Sequence, residues 1–436
     1  MLSYAFRLAL RGFRRNTVLT ALMVLAVALG IGVAMSMFTV LHNLAGNPLP
    51  QRGDEVFHPQ IDPRPADLPG ARRAPPDNLT YIDALNLYHL DHASRRALMS
   101  YNWLPVNGTA AGDPLHMENT RATTRGFFPM FDVPFQYGAA WSEQDDTRRA
   151  QVVVISQKLN DTLFGGADSV GRELIIDTKL FRIVGVIKPW NPQPHFWDLD
   201  DGVYGPAAQI YLPFFTWLHL PADFGWGPMD CWGDHPNVGN NHPKAAQCTW
   251  VQYWVQLNTP AQVRAYRDLL VRYSQQQHTL GRFQRAPNVR LDDVMQWLNY
   301  KHVVPVIVSM QTWIAFGVFV ICLLNAVGLL LAKFLRRGGE IGVRRALGAR
   351  RRDVFAQCVI ESALIGLLGG LVGLPLVWLG LWLIRQQPVS YAATVQISPL
   401  LLVYALLLAA VATLLAGIWP AWRAARIAPA LVVKSL

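Results

Sequence analysis

Charge is scarce in this sequence: Asp, Glu, Lys and Arg make up only 16% of its 436 residues, against about 25% in an ordinary soluble domain. The scarcity is uneven. Residues 17–51 hold no charged side chain, and further apolar blocks cover 303–332, 354–384 (with Glu361 as the one acid) and 399–419. Each is longer than the roughly 20 residues that cross a bilayer core. A soluble enzyme, a fibrous protein and a disordered chain are excluded. Catalytic signatures are missing too. The sequence has no G-x-x-x-x-G-K-[ST], no G-x-S-x-G and no H-E-x-x-H, and its 11 histidines fall into no catalytic spacing. It therefore carries no phosphate-cradling loop of its own. Neither a catalytic residue nor a resident cofactor or metal is expected on this chain.

What charge there is reports topology. Arg7, Arg11, Arg14 and Arg15 precede the first block, eight Lys and Arg residues lie between 333 and 353, and Arg423, Arg426 and Lys434 follow the last block. Only Glu340 and Asp353 oppose these 15 bases. Basic flanks stay on the cytoplasmic side, so both termini and the 333–353 loop are expected inside. Residues 46–302, with 23 bases and 26 acids, are expected outside. The net charge of +10 thus reads as topology and contact with membrane lipids, not as a nucleic-acid footprint.

The expected organisation follows. Residues 1–16 form an amphipathic helix in the inner interface, with Leu2, Phe6, Leu10 and Phe13 at helical spacing. Residues 17–45 form the first span and are read as an uncleaved anchor. Residues 46–302 form an α+β ectodomain, followed by spans at 303–332, 354–384 and 399–419. A cytoplasmic loop or helix occupies 333–353, a short outer loop 385–398, and a cytoplasmic tail 420–436. Within the ectodomain, QVVVI (151–155) reads as a buried strand and 157–164 as a helix stopped by Gly165 and Gly166. Two strands, 172–177 and 181–187, come next, then a helix at 266–277. Small residues repeat every four positions in two spans: Ala26, Gly30 and Ala34 in the first, Gly366/Gly370 and Gly369/Gly373 in the third. Such rows allow close helix packing in lipid. Glu361, about 10 Å into its span at 1.5 Å per residue, is expected to pair with a nearby arginine, with a proton relay as the alternative.

Cys231 and Cys248 lie in the ectodomain, 17 positions apart. An oxidising compartment favours a disulfide, while the intervening His235 and His242 keep a zinc site in play. Residues 190–254 hold seven of the 15 tryptophans, together with six acids and one base. Aromatic faces and carboxylates together suit a cationic ligand. Trp217, Trp226, Trp232, Asp223 and Asp230 are therefore candidate contacts to a cargo or partner, with core packing as the alternative for the tryptophans.

The segment from Glu340 to Ala349 reads EIGVRRALGA, and it closely resembles the E-I-x-V-R-x-A-L-G-A run after the second span of FtsX-like ABC transporter permeases. The tail PAWRAARIAP looks like that superfamily's ending. VVVISQKLNDTLFGG and the preceding TRATTRGFFPMFDVPF are similar to the periplasmic core of macrolide-exporter-type permeases. The resemblance implies an export permease of the bacterial inner membrane that works as a dimer, a homodimer or one with a paralogue. ATP and Mg would sit on a separate cytoplasmic ATPase dimer, and motion would be transmitted to the periplasmic domain. Glu340, Ile341, Arg344, Arg345, Ala346, Leu347, Gly348 and Ala349 would couple to that ATPase. A periplasmic adaptor and an outer-membrane channel are further implied partners. The rival functions are a regulator of a cell-wall hydrolase and a membrane-anchored metalloprotein.

Overall fold

The computed structural model describes residues 17–67, 74–90, 92–107, 116–200, 202–220, 229–232, 247–392, 395 and 398–426. The amphipathic helix expected over 1–16 and the tail beyond 426 lie outside these residues. The chain divides into two units, one of residues 1–46 with 304–436 and one of residues 47–303.

In chain order, helix α1 (Thr17–Ala45) precedes β1 (Val56–Ile61), β2 (Leu79–Thr80), α2 (Tyr81–His89), β3 (Arg95–Asn107) and β4 (His116–Thr123). Next come α3 (Phe127–Met130), β5 (Phe135–Gly138), α4 (Glu143–Arg148), β6 (Val152–Ser156), α5 (Gln157–Phe164), β7 (Glu173–Ile176) and β8 (Lys179–Ile187). Then follow β9 (Ile210–Pro213), α6 (Phe214–Trp217), β10 (Asp230–Cys231), β11 (Cys248–Gln256), α7 (Pro260–Thr279), β12 (Val289–Asp293) and α8 (Val294–Tyr300). The chain ends in α9 (Val306–Arg336), α10 (Gly338–Ala346), α11 (Arg351–Arg385) and α12 (Pro399–Ala425).

In the helical unit, α1, α9, α11 and α12 have 29, 31, 35 and 27 residues, each with an apolar stretch of at least 18 residues. Each is long and apolar enough to cross a membrane. The helices outrun their apolar blocks. α9 continues through Lys333 and Arg336, which lie in its last turn and complement the negative end of the helix dipole. α12 continues to Ala425 because Ala421, Ala424 and Ala425 pack into a cluster with Met23, Phe334, Val354 and Cys358. The paired glycines of α11 serve two different neighbours. A Cβ on Gly366 would sit 1.7 Å from Thr413 Oγ1, and one on Gly370 3.0 Å from Ala409, both on α12. A Cβ on Gly369 would sit 2.7 Å from Val27, and one on Gly373 3.3 Å from the Ala28 carbonyl, both on α1. Two interleaved small-residue rows thus let one helix touch two others at backbone distance.

The second unit is built on a mixed sheet in the order β12-β1-β11-β3-β4-β9-β6-β8-β5, with β2 and β10 pairing β11 and β7 bridging β3 and β8. β4 with β9 and β6 with β8 run parallel. All nine residues of β11 are buried, as expected of a strand flanked on both edges. The segment after β6 shows how the sequence enforces the local fold. Ser156 Oγ accepts the Leu159 N–H at 3.0 Å and caps α5. Gly165, at φ +65°, closes the helix in the left-handed conformation. The principal core gathers Leu98, Val153, Ile155, Ile183, Trp217 and Trp250.

Candidate coupling site

The site is formed where α9 ends, α10 turns and α11 begins. Arg337 alone separates the first two helices. α10 ends at Ala346 because Gly348 adopts φ +102°, a conformation strained for any residue with a Cβ. The Ala349 N–H then returns to the Arg344 carbonyl at 3.0 Å. The Arg350 N–H donates to Asp353 Oδ2 at 3.2 Å, and α11 starts there.

One side of α10 is held by the unit. Ile341 packs against the cluster that contains Phe334, Val354 and Ala421. Arg344 Nη1 donates to Gln357 Oε1 on α11, and Arg345 Nη1 to the Ala425 carbonyl at the end of α12, both at 3.4 Å. The other side is open: Val343 is 46% and Leu347 83% exposed, and Ala346 and Glu340 are exposed with them. Val343, Ala346 and Leu347 follow i, i+3, i+4 spacing, so they form one apolar edge. A helix clamped on one side and apolar on its free side is suited to insert into a groove on another protein.

Behind it sits a buried ion cluster. Glu361 of α11 pairs with Lys333 of α9 at 2.6 Å and with Arg337 at 3.2 Å, and Lys333 Nζ also donates to Thr20 Oγ1 of α1 at 3.0 Å. The Glu361 carboxylate therefore joins α11 to α9 and to Arg337, just before α10, and Lys333 extends the link to α1 through Thr20. Glu361 does take an arginine partner, as its depth in the span suggested. Sequence reasoning missed Lys333 as its second partner, because a lysine just past an apolar block reads as a solvated flank. The available signal was the i, i+4 spacing of Lys333 and Arg337, which turns both toward one side of α9.

The MacB-like periplasmic core domain profile matches residues 20–273, more than half of the chain, and the FtsX-like permease C-terminal profile matches residues 312–429. The chain belongs to the MacB-like, FtsX-type family of ABC transporter permeases. This MacB-like permease is 24% identical over 438 residues to the macrolide export ATP-binding/permease protein MacB of Wolinella succinogenes, covering 99% of this chain and 60% of that one. It is 25% identical over 293 residues to the protein of the same name from Neisseria meningitidis serogroup A / serotype 4A, covering 66% of this chain and 40% of the relative. The chain thus spans 40 to 60% of the length of these two relatives. The periplasmic region of MacB from Actinobacillus actinomycetemcomitans aligns at TM-score 0.36 and 13% identity, covering 56% of this chain and 90% of that one.

In the periplasmic core domain of this MacB-like permease, the aromatic candidates divide. Trp217 is 2% exposed, its ring 6.0 Å from Trp250 and 6.1 Å from Phe214, and Trp232 is 8% exposed. The expectation that these two rings meet a cargo is corrected to the packing alternative: both are buried in their own unit. Asp230 is exposed on β10, while Trp226 and Asp223 lie outside the described residues. Cys231 and Cys248 are joined in a disulfide and face each other across the β10–β11 pair. Neither sulfur is then available as a thiolate for zinc, and His235 and His242 lie outside the described residues. The free thiols, Cys322 and Cys358, belong to α9 and α11.

Proposed function

We propose that this chain is an export permease whose α10 docks a cytoplasmic ABC ATPase and passes the motion of that ATPase through the span helices to the periplasmic core domain. The observation that carries the reading is the exposed apolar edge of α10, Val343–Ala346–Leu347, on a helix tied to α11 and α12 by Arg344 and Arg345. The distribution of Lys and Arg supports a cytoplasmic position for α10 and both termini, with residues 47–303 in the periplasm of an inner membrane. ATP and Mg2+ belong to the ATPase, outside these 436 residues. The names of the relatives, macrolide export ATP-binding/permease protein, support export as the task.

In this reading the cluster at Glu361 is the joint. A displacement of α10 pulls on Arg337, Glu361 transfers it to α11, and Lys333 with Thr20 transfers it to α1. The chain continues from α1 into the core domain, so no substrate path through the membrane is required. A second copy of the permease, or a paralogue, completes the assembly, and a periplasmic adaptor and outer-membrane channel carry the cargo onward. Affinity purification from native membranes followed by mass spectrometry tests this. A nucleotide-binding ATPase recovered in stoichiometric amount is expected. Recovery of a cell-wall hydrolase as the principal periplasmic partner would favour the regulator instead.

A further inference from the structure

The C-terminal end of α12 has two sharply different faces. Thr413, Gly417, Pro420, Ala421 and Ala424 turn into the helical unit and are buried. Leu415, Ile418, Trp419, Trp422, Arg423 and Arg426 are exposed, at the i, i+3, i+4 spacing that makes one helix face. Arg426 ends the helix and keeps a helical backbone conformation, so it stays on that face. Along it, aliphatic side chains give way to two indoles and then to two guanidinium groups. This is the order of environments across a lipid leaflet, where tryptophan gathers at the headgroup level.

The two arginines are held in place by the two tryptophans. Arg423 lies over the Trp419 ring, 5.8 Å from its centroid, and Arg426 over the Trp422 ring at 3.7 Å. Each guanidinium thus stacks one turn beyond its indole. Stacking orients the planar group and leaves the N–H groups on its edge able to donate. Among the described residues neither arginine meets a carboxylate. The bases on neighbouring helices are already engaged: Lys333 and Arg337 with Glu361, Arg344 with Gln357, and Arg345 with the Ala425 carbonyl. Offsetting the helix dipole would explain a positive charge here, but not the indole under each guanidinium.

We infer that this end of α12 binds the headgroup of one anionic phospholipid. The phosphodiester accepts from the forked N–H groups of Arg423 and Arg426, the geometry in which arginine meets a phosphate. The indole N–H groups of Trp419 and Trp422 donate to the glycerol ester region, and Ile418 and Leu415 meet the first methylenes of the acyl chains. A zwitterionic lipid brings its own ammonium beside the same phosphate, so it gains less from the two arginines. Arg345 of α10 donates to the carbonyl of Ala425, the residue before Arg426, which sets the lipid beside the proposed docking helix. The inference takes only the cytoplasmic placement of this end from the preceding reading. Lipid binding in detergent depends neither on that placement nor on an ATPase, so either idea can fail alone.

The test is native mass spectrometry of the full chain in detergent, titrated with dioleoylphosphatidylglycerol or dioleoylphosphatidylcholine. The first phosphatidylglycerol is expected to bind at least tenfold more tightly than phosphatidylcholine. Arg423→Gln with Arg426→Gln should erase that preference. Arg351→Gln with Arg352→Gln removes the same charge from exposed positions at the start of α11 and should keep it. Equal binding of the two lipids by the parent, or an equal loss in both double variants, overturns the inference. So does a preference that survives Arg423→Gln with Arg426→Gln. Should that protein melt early, photolabelling of the parent with a diazirine-bearing phosphatidylglycerol decides. Label that unlabelled phosphatidylglycerol competes away is expected on residues 411–426, and competed label found only elsewhere overturns the inference.

Discussion

Lys333 and Glu361, on two different span helices, approach to 2.6 Å with side chains 0% and 1% exposed. Neither charge reaches water, so each depends on the other and on Arg337 and Thr20. Glu361→Gln should leave two cations facing a neutral amide. Losing one partner of a buried pair costs about 3–5 kcal/mol, so thermal unfolding in detergent should show a clear drop. Lys333→Met combined with Glu361→Met should recover part of it. A Glu361→Gln protein that melts like the parent would remove the cluster as a structural joint.

The α11 glycines give a sharper steric test. Gly366→Ala places a methyl 1.7 Å from Thr413 Oγ1 and 2.8 Å from the Ala409 carbonyl, and overpacking of this kind costs about 1–3 kcal/mol. Gly328→Ala on α9 meets nothing within 4 Å and should be neutral or slightly stabilising through its higher helix propensity. Melting temperatures of the two variants should separate accordingly.

How much of this was legible in the sequence depends on the range of the forces involved. The four span helices follow from apolar runs, and the glycine rows name their own contact faces. β6 and α5 follow from a five-residue apolar strand, a serine cap and two glycines, all local. Most pairings between residues far apart in sequence were not legible, although a carboxylate inside a span called for a cation and two ectodomain cysteines for a disulfide. Nothing local tells Lys333 that its partner is Glu361, or brings His58 to Trp254 and Trp297. The tryptophans misled for the same reason, since composition records how many rings there are and not which side of the sheet they face.

Trp217 provides the direct check on that correction. Trp217→Ala should cost about 3–5 kcal/mol by emptying a core position, and it should lower the melting temperature of the periplasmic unit. A variant that melts normally but loses cargo binding would restore the contact role.

Two buried histidines predict an acid-sensitive fold. Burial lowers His58 to about 3 and His195 to about 4 from the usual 6.5. Between those values the unfolded chain takes up protons that the folded one refuses, so their contribution is complete above about pH 6.5 and falls away as the pH drops. Melting curves at pH 7.5 and 4.5 should show this loss, and His58→Gln should make it smaller. An identical loss in His58→Gln would mean that the histidine is not its source.

α10 is the proposed docking element, and Leu347, 83% exposed at its end, is its most accessible apolar residue. Leu347→Glu would place an unpaired charge in the partner's groove while touching little of its own unit. The decisive measurement is ATPase co-purification and ATP hydrolysis in nanodiscs for the parent and Leu347→Glu proteins at equal permease content. Collapse of both in the variant, with an unchanged melting temperature, is the predicted result. A Leu347→Glu permease that retains its ATPase and hydrolyses ATP at the parent rate would contradict it.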